Sequence, residues 1–358
     1  RGHFPLEPRV LAECIAEHEH RRVDGIVIVP AFGDAGRITV GGVHYAGSVA
    51  DGFTPVGESE FAGDATFGYR SSRLAEWVEE KSGGELPASS VIEISLAELR
   101  TDLGAVAARL RSAGSEQPIV SDIVDENDLR RLSLAVQQAE DAGSRFIYRV
   151  GPPFVRARIG QEVHPPLDHD DLVAIRQGGL AENSVGGLVV VGSHVQQTTR
   201  QLEALRAIDK PTEVEIDVPV VLTSGRDGHL DAIVDQVLTE LPRGNVVVRT
   251  SRTRITGSDA ADSLAIARAV SDAVVEVVQR VLAGYPPRFV IAKGGITSSD
   301  VAARGLGMTR AFVRGPMLPG IVSLWEPVAG PACGIPYIVF AGNVGDENSL
   351  AEVVDKLS

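Results

Sequence analysis

The sequence has few cysteines, few aromatic residues and no long apolar run, and each shortage argues against a class of protein. Only two of its 358 residues are cysteines, Cys14 and Cys333, and they lie too far apart for a metal-binding spacing. We therefore expect two reduced, buried thiols in a cytoplasmic protein rather than a disulfide-rich secreted scaffold. No apolar run approaches the ~20 residues that span a bilayer, so we predict no membrane partner.

Positive charge is scarce as well. Lysine and arginine together number 34 against 48 acidic residues, which gives a formal net charge of −14. No basic stripe offsets this charge, so we predict no nucleic-acid partner. A small phosphorylated ligand remains compatible with the charge, because a few backbone amides and one cation can form such a site.

Strand-like and helix-like segments alternate through both halves of the chain. Hydrophobic residues make up 44% of the sequence and aromatic residues 5%, which is typical of an aliphatic α/β core. We predict an α/β fold of two domains, each a mostly parallel sheet flanked by helices. The periodicity loosens across 151–187, where proline pairs and acidic residues cluster, and we place the domains at 1–165 and 166–358.

One stretch, 289–300, combines a strand, two glycines and a hydroxyl-rich segment. Its apolar residues up to Ala292 are typical of a buried strand, and Gly294 and Gly295 allow a sharp turn. The residues from Thr297 to Asp300 are candidate N-caps of a helix that starts near Val301. This order predicts free backbone amides and a positive helix end facing an anion. A plain β–α connection is the alternative.

Two further strands in the second half end in similar turns, near Ser193 and near Gly342. Three such turns, each leading into a helix, could meet at one crevice that fits a nucleotide. Neither the phosphate-loop motif nor the dinucleotide fingerprint is present, and Lys293 precedes its glycines instead of following them. The pattern therefore predicts a nucleotide without identifying a reaction.

In the first half, the loop 31–37 follows a strand that ends at Pro30. It contains Phe32 and Arg37, and a guanidinium can hold a carboxylate in bidentate fashion. We predict both residues as substrate-binding, with a surface arginine as the alternative. Asp122, at the end of another strand, is a further candidate for ligand contact, whereas Asp125 is typical of a helix cap.

Several segments together resemble a known family, the four-carbon acid sugar kinases. In the second half these are VVVGSHVQQTT, FVIAKGGITSSDVA, RGPMLPGIVSLW and YIVFAGNVGDENSLAEVV, and in the first half RGHFPLEP and IVPAFGDAGR. The resemblance covers almost the whole chain. It implies an acid-sugar-binding domain at 1–165, a nucleotide-binding domain at 166–358, and ATP-dependent transfer of a phosphoryl group to a hydroxyl of threonate, erythronate or 3-oxo-tetronate.

The resemblance also implies site residues. ATP contacts are expected at Ser193, at Gly342 and along the run Gly294, Gly295, Ile296 and Thr297, and Mg²⁺ is expected on the ATP phosphates. Arg1 matches an arginine of the family's substrate motif. The implied partner is a small-molecule sugar acid, and a homo-oligomer is left open.

The resemblance is incomplete at the start of the chain. The family's paired-aspartate motif and the motif leading into the arginine that matches Arg1 are absent, and the sequence begins without methionine. We therefore expect a chain truncated at its N-terminus, and we name no catalytic base. A nucleotide-binding, catalytically incomplete member is the alternative function. A dehydrogenase or isomerase is a third, disfavoured by the missing dinucleotide fingerprint.

Overall fold

The computed structural model describes residues 4–49, 52–59, 62–63, 68–252, 255 and 257–358, without the side chains of residues 260, 261 and 296. The chain divides into two compact units, 1–163 and 164–358. Each contains a sheet with parallel strands flanked by helices, so the predicted α/β class is confirmed.

The first unit is built on a four-stranded parallel sheet. In chain order its helices and strands are α1 Leu6–Glu19, β1 Gly25–Val29, β2 Arg37–Val40, β3 Val43–Ser48, β4 Gly52–Pro55, α2 Leu74–Lys81, β5 Ile92–Ile94, α3 Leu96–Thr101, α4 Leu103–Arg111, β6 Gln117–Ser121, α5 Glu126–Asp141, β7 Phe146–Val150 and α6 Pro152–Arg158. The main sheet has the order β5-β6-β1-β7, and every described pairing in it is parallel. Strands β2, β3 and β4 form a separate antiparallel sheet.

The second unit has a larger, seven-stranded sheet. Its elements are α7 His169–Arg176, β8 Leu188–Val191, α8 Gln196–Ile208, β9 Thr212–Ile216, α9 Val218–Val221, α10 Arg226–Glu240, β10 Val246–Thr250, α11 Ala260–Gly284, β11 Val290–Lys293, α12 Gly295–Asp300, β12 Arg310–Leu318, β13 Ile321–Ala329, β14 Tyr337–Phe340 and α13 Ser349–Leu357. The strand order is β12-β13-β14-β11-β8-β10-β9. The five strands from β14 to β9 run parallel, and the hairpin β12–β13 adds an antiparallel edge. Strands β8 and β11 are buried throughout and β10 is buried except at Arg249, so both faces of the sheet centre are covered.

Two segments are less regular than a plain alternation of strands and helices. The helical stretch from Leu96 to Arg111 is broken at Asp102, whose extended backbone ends α3 and whose carboxylate accepts from the Ala105 amide to cap α4. The glycine- and proline-rich segment around Pro316 belongs to a nine-residue strand, β12, which pairs with β13 in an antiparallel hairpin. Because β12 lies at the sheet edge, it tolerates a proline that lacks an N–H.

The expectation of buried cysteines is wrong. Cys14 and Cys333 are both free thiols and both exposed, because Cys14 faces outward on α1 and Cys333 lies in a turn before β14. Among the described helices, none is both long enough and apolar enough to cross a membrane.

Candidate functional site

The three turns singled out by sequence lie side by side in the second unit. Strand β11 pairs in parallel with β14 on one side and with β8 on the other, so their carboxyl ends meet at one edge of the sheet. Backbone bonds continue the pairing into the turns: the Gly192 amide donates to the Lys293 carbonyl at 3.2 Å, and the Gly294 amide to the Phe340 carbonyl at 2.9 Å. The predicted convergence is therefore present in the fold.

The turns approach each other too closely for side chains at their glycines. A Cβ placed on Gly342 would lie 2.5 Å from the Ser193 hydroxyl, and one on Gly192 would overlap the Thr297 hydroxyl. A Cβ on Gly294 would lie 3.2 Å from that same hydroxyl and 3.4 Å from the Ser193 amide. Thus Ser193, Thr297 and the glycines surround one small region.

Helix α12 begins earlier than the sequence suggested. It starts at Gly295, so Thr297 to Asp300 lie within the helix and do not act as N-caps. Gly294 makes the turn with φ 127° and ψ 144°, a conformation that other residues rarely adopt. The hydroxyl of Ser298 donates instead to the carbonyls of Ala292 and Gly294, each at 2.7 Å.

The start of α12 leaves backbone donors open. Gly294 occupies the N-cap position and offers no side-chain acceptor, and the Gly295 and Thr297 amides have no hydrogen-bond acceptor among the described residues. Ile296 contributes backbone to the same turn. In contrast, the carboxylates of Asp125 and Asp168 accept hydrogen bonds from first-turn amides of α5 and α7, in complete capping boxes. The open amides of α12 suit an anion.

The turn after β14 is held from helix α8. The Thr198 hydroxyl donates to the Ser193 hydroxyl oxygen at 3.0 Å and to the Gly342 carbonyl at 3.2 Å. The buried Gln201 amide donates to the carbonyls of Val344 and Asp346 at 3.1 and 2.6 Å. With these carbonyls turned toward α8, the Gly342 amide has no acceptor among the described residues.

Lys293 is enclosed within the second unit. Its side chain is fully buried, and Nζ donates to the Ala341 carbonyl at 3.0 Å while lying 3.8 Å from the centre of the Phe340 ring. Burial lowers the pKa of Lys293 to about 7, because the interior disfavours the charged form. The lysine side chain therefore stabilises the turn after β14 through its hydrogen bond to the Ala341 carbonyl.

A different cation reaches the Ser193 turn. Arg252 follows β10, the neighbour of β8 on its other side, and its guanidinium donates to the Ser193 carbonyl and, at 2.6 Å, to the Thr199 hydroxyl. Burial, followed by the nearby charges of Arg249 and Arg206, lowers the pKa of Arg252 below its usual range.

In the first unit, residues of the candidate substrate loop 31–37 form hydrogen bonds with each other. Phe32 and Arg37 exchange backbone hydrogen bonds of 2.8 and 3.0 Å around a short 3₁₀ turn, Gly33–Ala35. The Arg37 guanidinium also donates to the Ala35 carbonyl at 3.1 Å, and Asp34 pairs with Arg156 at 3.4 Å. Arg1, the third substrate candidate, lies outside the described residues.

Asp122 has a structural role within the described first unit. Its buried carboxylate accepts from the amides of Gly41 and Gly42 at 3.0 and 2.8 Å, and from the Leu96 amide at 3.3 Å. These bonds anchor the β2–β3 hairpin turn to the end of β6. The role predicted for Asp125 as a helix cap is confirmed.

Sequence reasoning missed Thr198, Gln201 and Arg252. A usable signal existed for Arg252, since a cation directly after β10 must lie at the same sheet edge as the glycine turns. Thr198 and Gln201 occupy the first turns of α8, spaced so that both face the turn after β14.

Two family models match the chain and together cover most of it. Residues 1–158 match the sugar-binding N-terminal domain, and residues 188–350 match the nucleotide-binding C-terminal domain. The nucleotide-binding match begins at β8 and ends within α13, so it contains all three turns.

Solved structures of similar fold include a Salmonella typhimurium LT2 protein provisionally named a tRNA synthase. It is 19% identical with a TM-score of 0.63, and the match covers 95% of this chain and 74% of that one. The Haemophilus influenzae protein HI1011 is 18% identical with a TM-score of 0.52, over 97% and 77% of the two chains.

A curated relative, the ATP-binding subunit of the potassium-transporting ATPase of Halobacterium salinarum, is 24% identical over 268 residues. That match covers 72% of this chain, which spans 34% of the length of the subunit. The two domain models, in the order sugar-binding then nucleotide-binding, decide the assignment. The chain belongs to the four-carbon acid sugar kinase family, a kinase-like family with a nucleotide-binding C-terminal domain.

Proposed function

We propose that the protein transfers the γ-phosphoryl group of ATP to a hydroxyl of a four-carbon sugar acid of the threonate, erythronate or 3-oxo-tetronate type. In this reaction the hydroxyl oxygen bonds to the γ-phosphorus, the bond to the bridging oxygen breaks, and ADP and the hydroxyl proton leave. Such a transfer requires little covalent chemistry from the protein and depends on the positioning of the reactants and the neutralisation of phosphate charge.

One observation carries the nucleotide part of the proposal. The α12 amides at Gly295 and Thr297 lack an acceptor within the described chain, and they adjoin Ser193 and Gly342 at one sheet edge. Backbone amides at a helix start donate to phosphate oxygens, and glycines let the backbone approach them closely. We assign ATP to Ser193, to the run from Gly294 through Ile296 to Thr297, and to Gly342.

Magnesium fits this arrangement as a companion of the nucleotide. The described residues contain no group of three or more histidine, cysteine or acidic side chains that could hold a metal ion. Mg²⁺ commonly keeps several waters and is bound largely through substrate phosphates. We therefore assign it to the ATP phosphates, where it would neutralise charge.

For the sugar acid we propose the first unit, through Phe32, Arg37 and Arg1. Arg37 is partly exposed at the start of β2, where the loop that follows the carboxyl end of β1 ends, and open α/β sheets bind ligands at such strand ends. Its guanidinium suits the carboxylate that all the candidate substrates share.

The test is an ADP-release assay on the full-length protein with Mg²⁺ and ATP. We expect ADP formation to depend on one of the three tetronates and to be absent with a matched dicarboxylate such as tartrate. ATP binding by calorimetry without turnover on any tetronate would contradict the kinase proposal and favour the catalytically incomplete alternative. The absence of both ATP binding and turnover would contradict the nucleotide assignment itself.

A further inference from the structure

Arg252 differs from the other arginines near it in how its charge is balanced. Arg206 and Arg249 share Glu213, and Arg249 also pairs with Glu215. Arg252 forms no ion pair within the described residues, and the undescribed residues of this unit, at 253, 254 and 256, include no acid. A partly buried guanidinium near two other cations and without a carboxylate favours the binding of an anion.

The position of Arg252 fits the anion proposed for this site. Its guanidinium donates to the Ser193 carbonyl, and the Ser193 side chain is the one that Gly342 and Gly294 approach. Its second contact, to the Thr199 hydroxyl, ties it to the start of α8. Several N–H groups of the guanidinium remain for another acceptor, since these two contacts use only part of its donors.

Lys293 cannot supply this charge. Its ammonium group is buried under the turn after β14 and bonded to the Ala341 carbonyl. Generic phosphate loops use a lysine that follows the glycines, and here the residue following Gly295 is Ile296. The described residues assigned to ATP above, Ser193, the run 294–297 and Gly342, offer a triphosphate only backbone amides and hydroxyls.

We propose that Arg252 is the cationic side chain that binds the polyphosphate of the nucleotide, from the end of β10. The proposal rests on the nucleotide assignment made above and extends it to a residue on a fourth strand. A planar guanidinium matches two phosphate oxygens at once, so replacement by lysine is not conservative.

The experiment measures ATP and AMP affinity by calorimetry for wild type and four variants. Arg252→Gln should weaken ATP binding about ten- to hundred-fold and AMP binding much less, because AMP lacks the outer phosphates. Thr199→Val removes the second contact but keeps the charge, and should change ATP affinity by less than about three-fold. Arg249→Gln, within β10 and three residues before Arg252, is the control and should bind ATP like wild type.

The outcomes separate the inference from the proposed function. Equal ATP affinity in Arg252→Gln and wild type overturns the role of Arg252 while leaving ATP binding intact. An equal loss for ATP and AMP, or a loss of the same size in Thr199→Val, overturns it in favour of a loop-positioning role. If wild type binds no ATP, the proposed function fails and the inference with it. Should Arg252→Gln not fold, Arg252→Met, which also removes the charge, takes its place: weaker ATP binding with retained AMP binding supports the inference, and wild-type ATP affinity overturns it.

Discussion

Polar groups near the candidate site residues are bonded differently in the two units. In the first unit, Phe32 and Arg37 form backbone hydrogen bonds with each other, and the Asp122 carboxylate accepts hydrogen bonds from amides of the hairpin turn. In the second unit, the amides of Gly295 and Gly342 meet no acceptor within the described residues, while the carbonyls of Gly342 and Val344 are bonded to α8. An unused donor at a rigid sheet edge is a stronger indication of ligand binding than a polar side chain in a loop.

The largest expected effect tests the structural role of Asp122 in the first unit. Asp122→Ala removes a buried carboxylate and leaves the Gly41, Gly42 and Leu96 amides without their acceptor, and of these three residues only Gly42 is buried. A buried donor left unpaired costs about 1–3 kcal/mol and the two more exposed donors cost less, so we expect a loss of about 3 kcal/mol in the free energy of unfolding of the first unit. Urea denaturation measures it.

ATP affinity is the second readout for Asp122→Ala, and it should equal that of wild type in the folded protein. A variant with wild-type stability would contradict the anchoring role, and weakened ATP binding at full stability would remove the distinction between the two units. Asp141→Ala, which removes an exposed acid bonded only to Gln137 among described partners, is the matched control.

The next effect concerns the buried cation of the second unit. The pKa of Lys293 is about 7 when folded, against 10.5 ordinarily. Below pH 7 both the folded and the unfolded chain hold the proton, so the cost of burying the charge is fully present. Above pH 7 the folded chain releases the proton before the unfolded chain does, and the free energy of unfolding therefore rises with pH. Between pH 7 and pH 9.5 we expect wild type to gain about 3 kcal/mol over Lys293→Met.

Denaturant titrations of wild type and Lys293→Met across that range give the difference directly, and other titrating groups cancel in the subtraction. A difference independent of pH would show that Lys293 keeps its ordinary pKa and so reaches solvent. In that case the lysine would be available to a ligand, and the need for Arg252 would be weaker.

The third effect is on binding. A Cβ at Gly295 meets no atom within 4 Å, and Gly295 does not have a positive φ, so Gly295→Val should fold normally. The added methyl groups would occupy the space that a phosphate needs beside the open amides. Loss of one or two charge-assisted bonds predicts a rise of about a hundred-fold in the ATP dissociation constant.

Gly228→Val is the matched control, because a Cβ at Gly228 also meets open space but lies on α10 away from the turns. Calorimetry on both variants, with circular dichroism to check folding, completes the measurement. Wild-type ATP affinity in folded Gly295→Val would contradict the α12 assignment, and the contrast between the units would lose its main support.

Much of this arrangement was predictable from sequence, because local chemistry defines it. Glycines and hydroxyls after apolar strands predicted the turns at Ser193, Gly294 and Gly342, and parallel pairing made them neighbours. The features that could not be predicted from sequence depended on tertiary contacts. The inward direction of Lys293 follows from the position of Phe340, and the early start of α12 follows from the dihedral angles of Gly294. The strand character of β12 follows from its edge position, which overrides its proline content.

The smallest predicted effect concerns the link between two turns of the second unit. The Thr198 hydroxyl bonds to both Ser193 and Gly342, and Thr198→Val removes it at nearly constant volume. We expect ATP binding to weaken about five-fold, because the loss of a buried hydrogen bond costs about 1 kcal/mol and frees both turns to move. Thr198→Ser should keep wild-type affinity, while Thr239→Val, which removes a hydroxyl on the exposed side of α10, should have no effect. If Thr198→Val binds ATP as wild type does, the amides are held in place by the strand ends alone. The open donors would then be a property of the sheet edge itself, and α8 would contribute only packing.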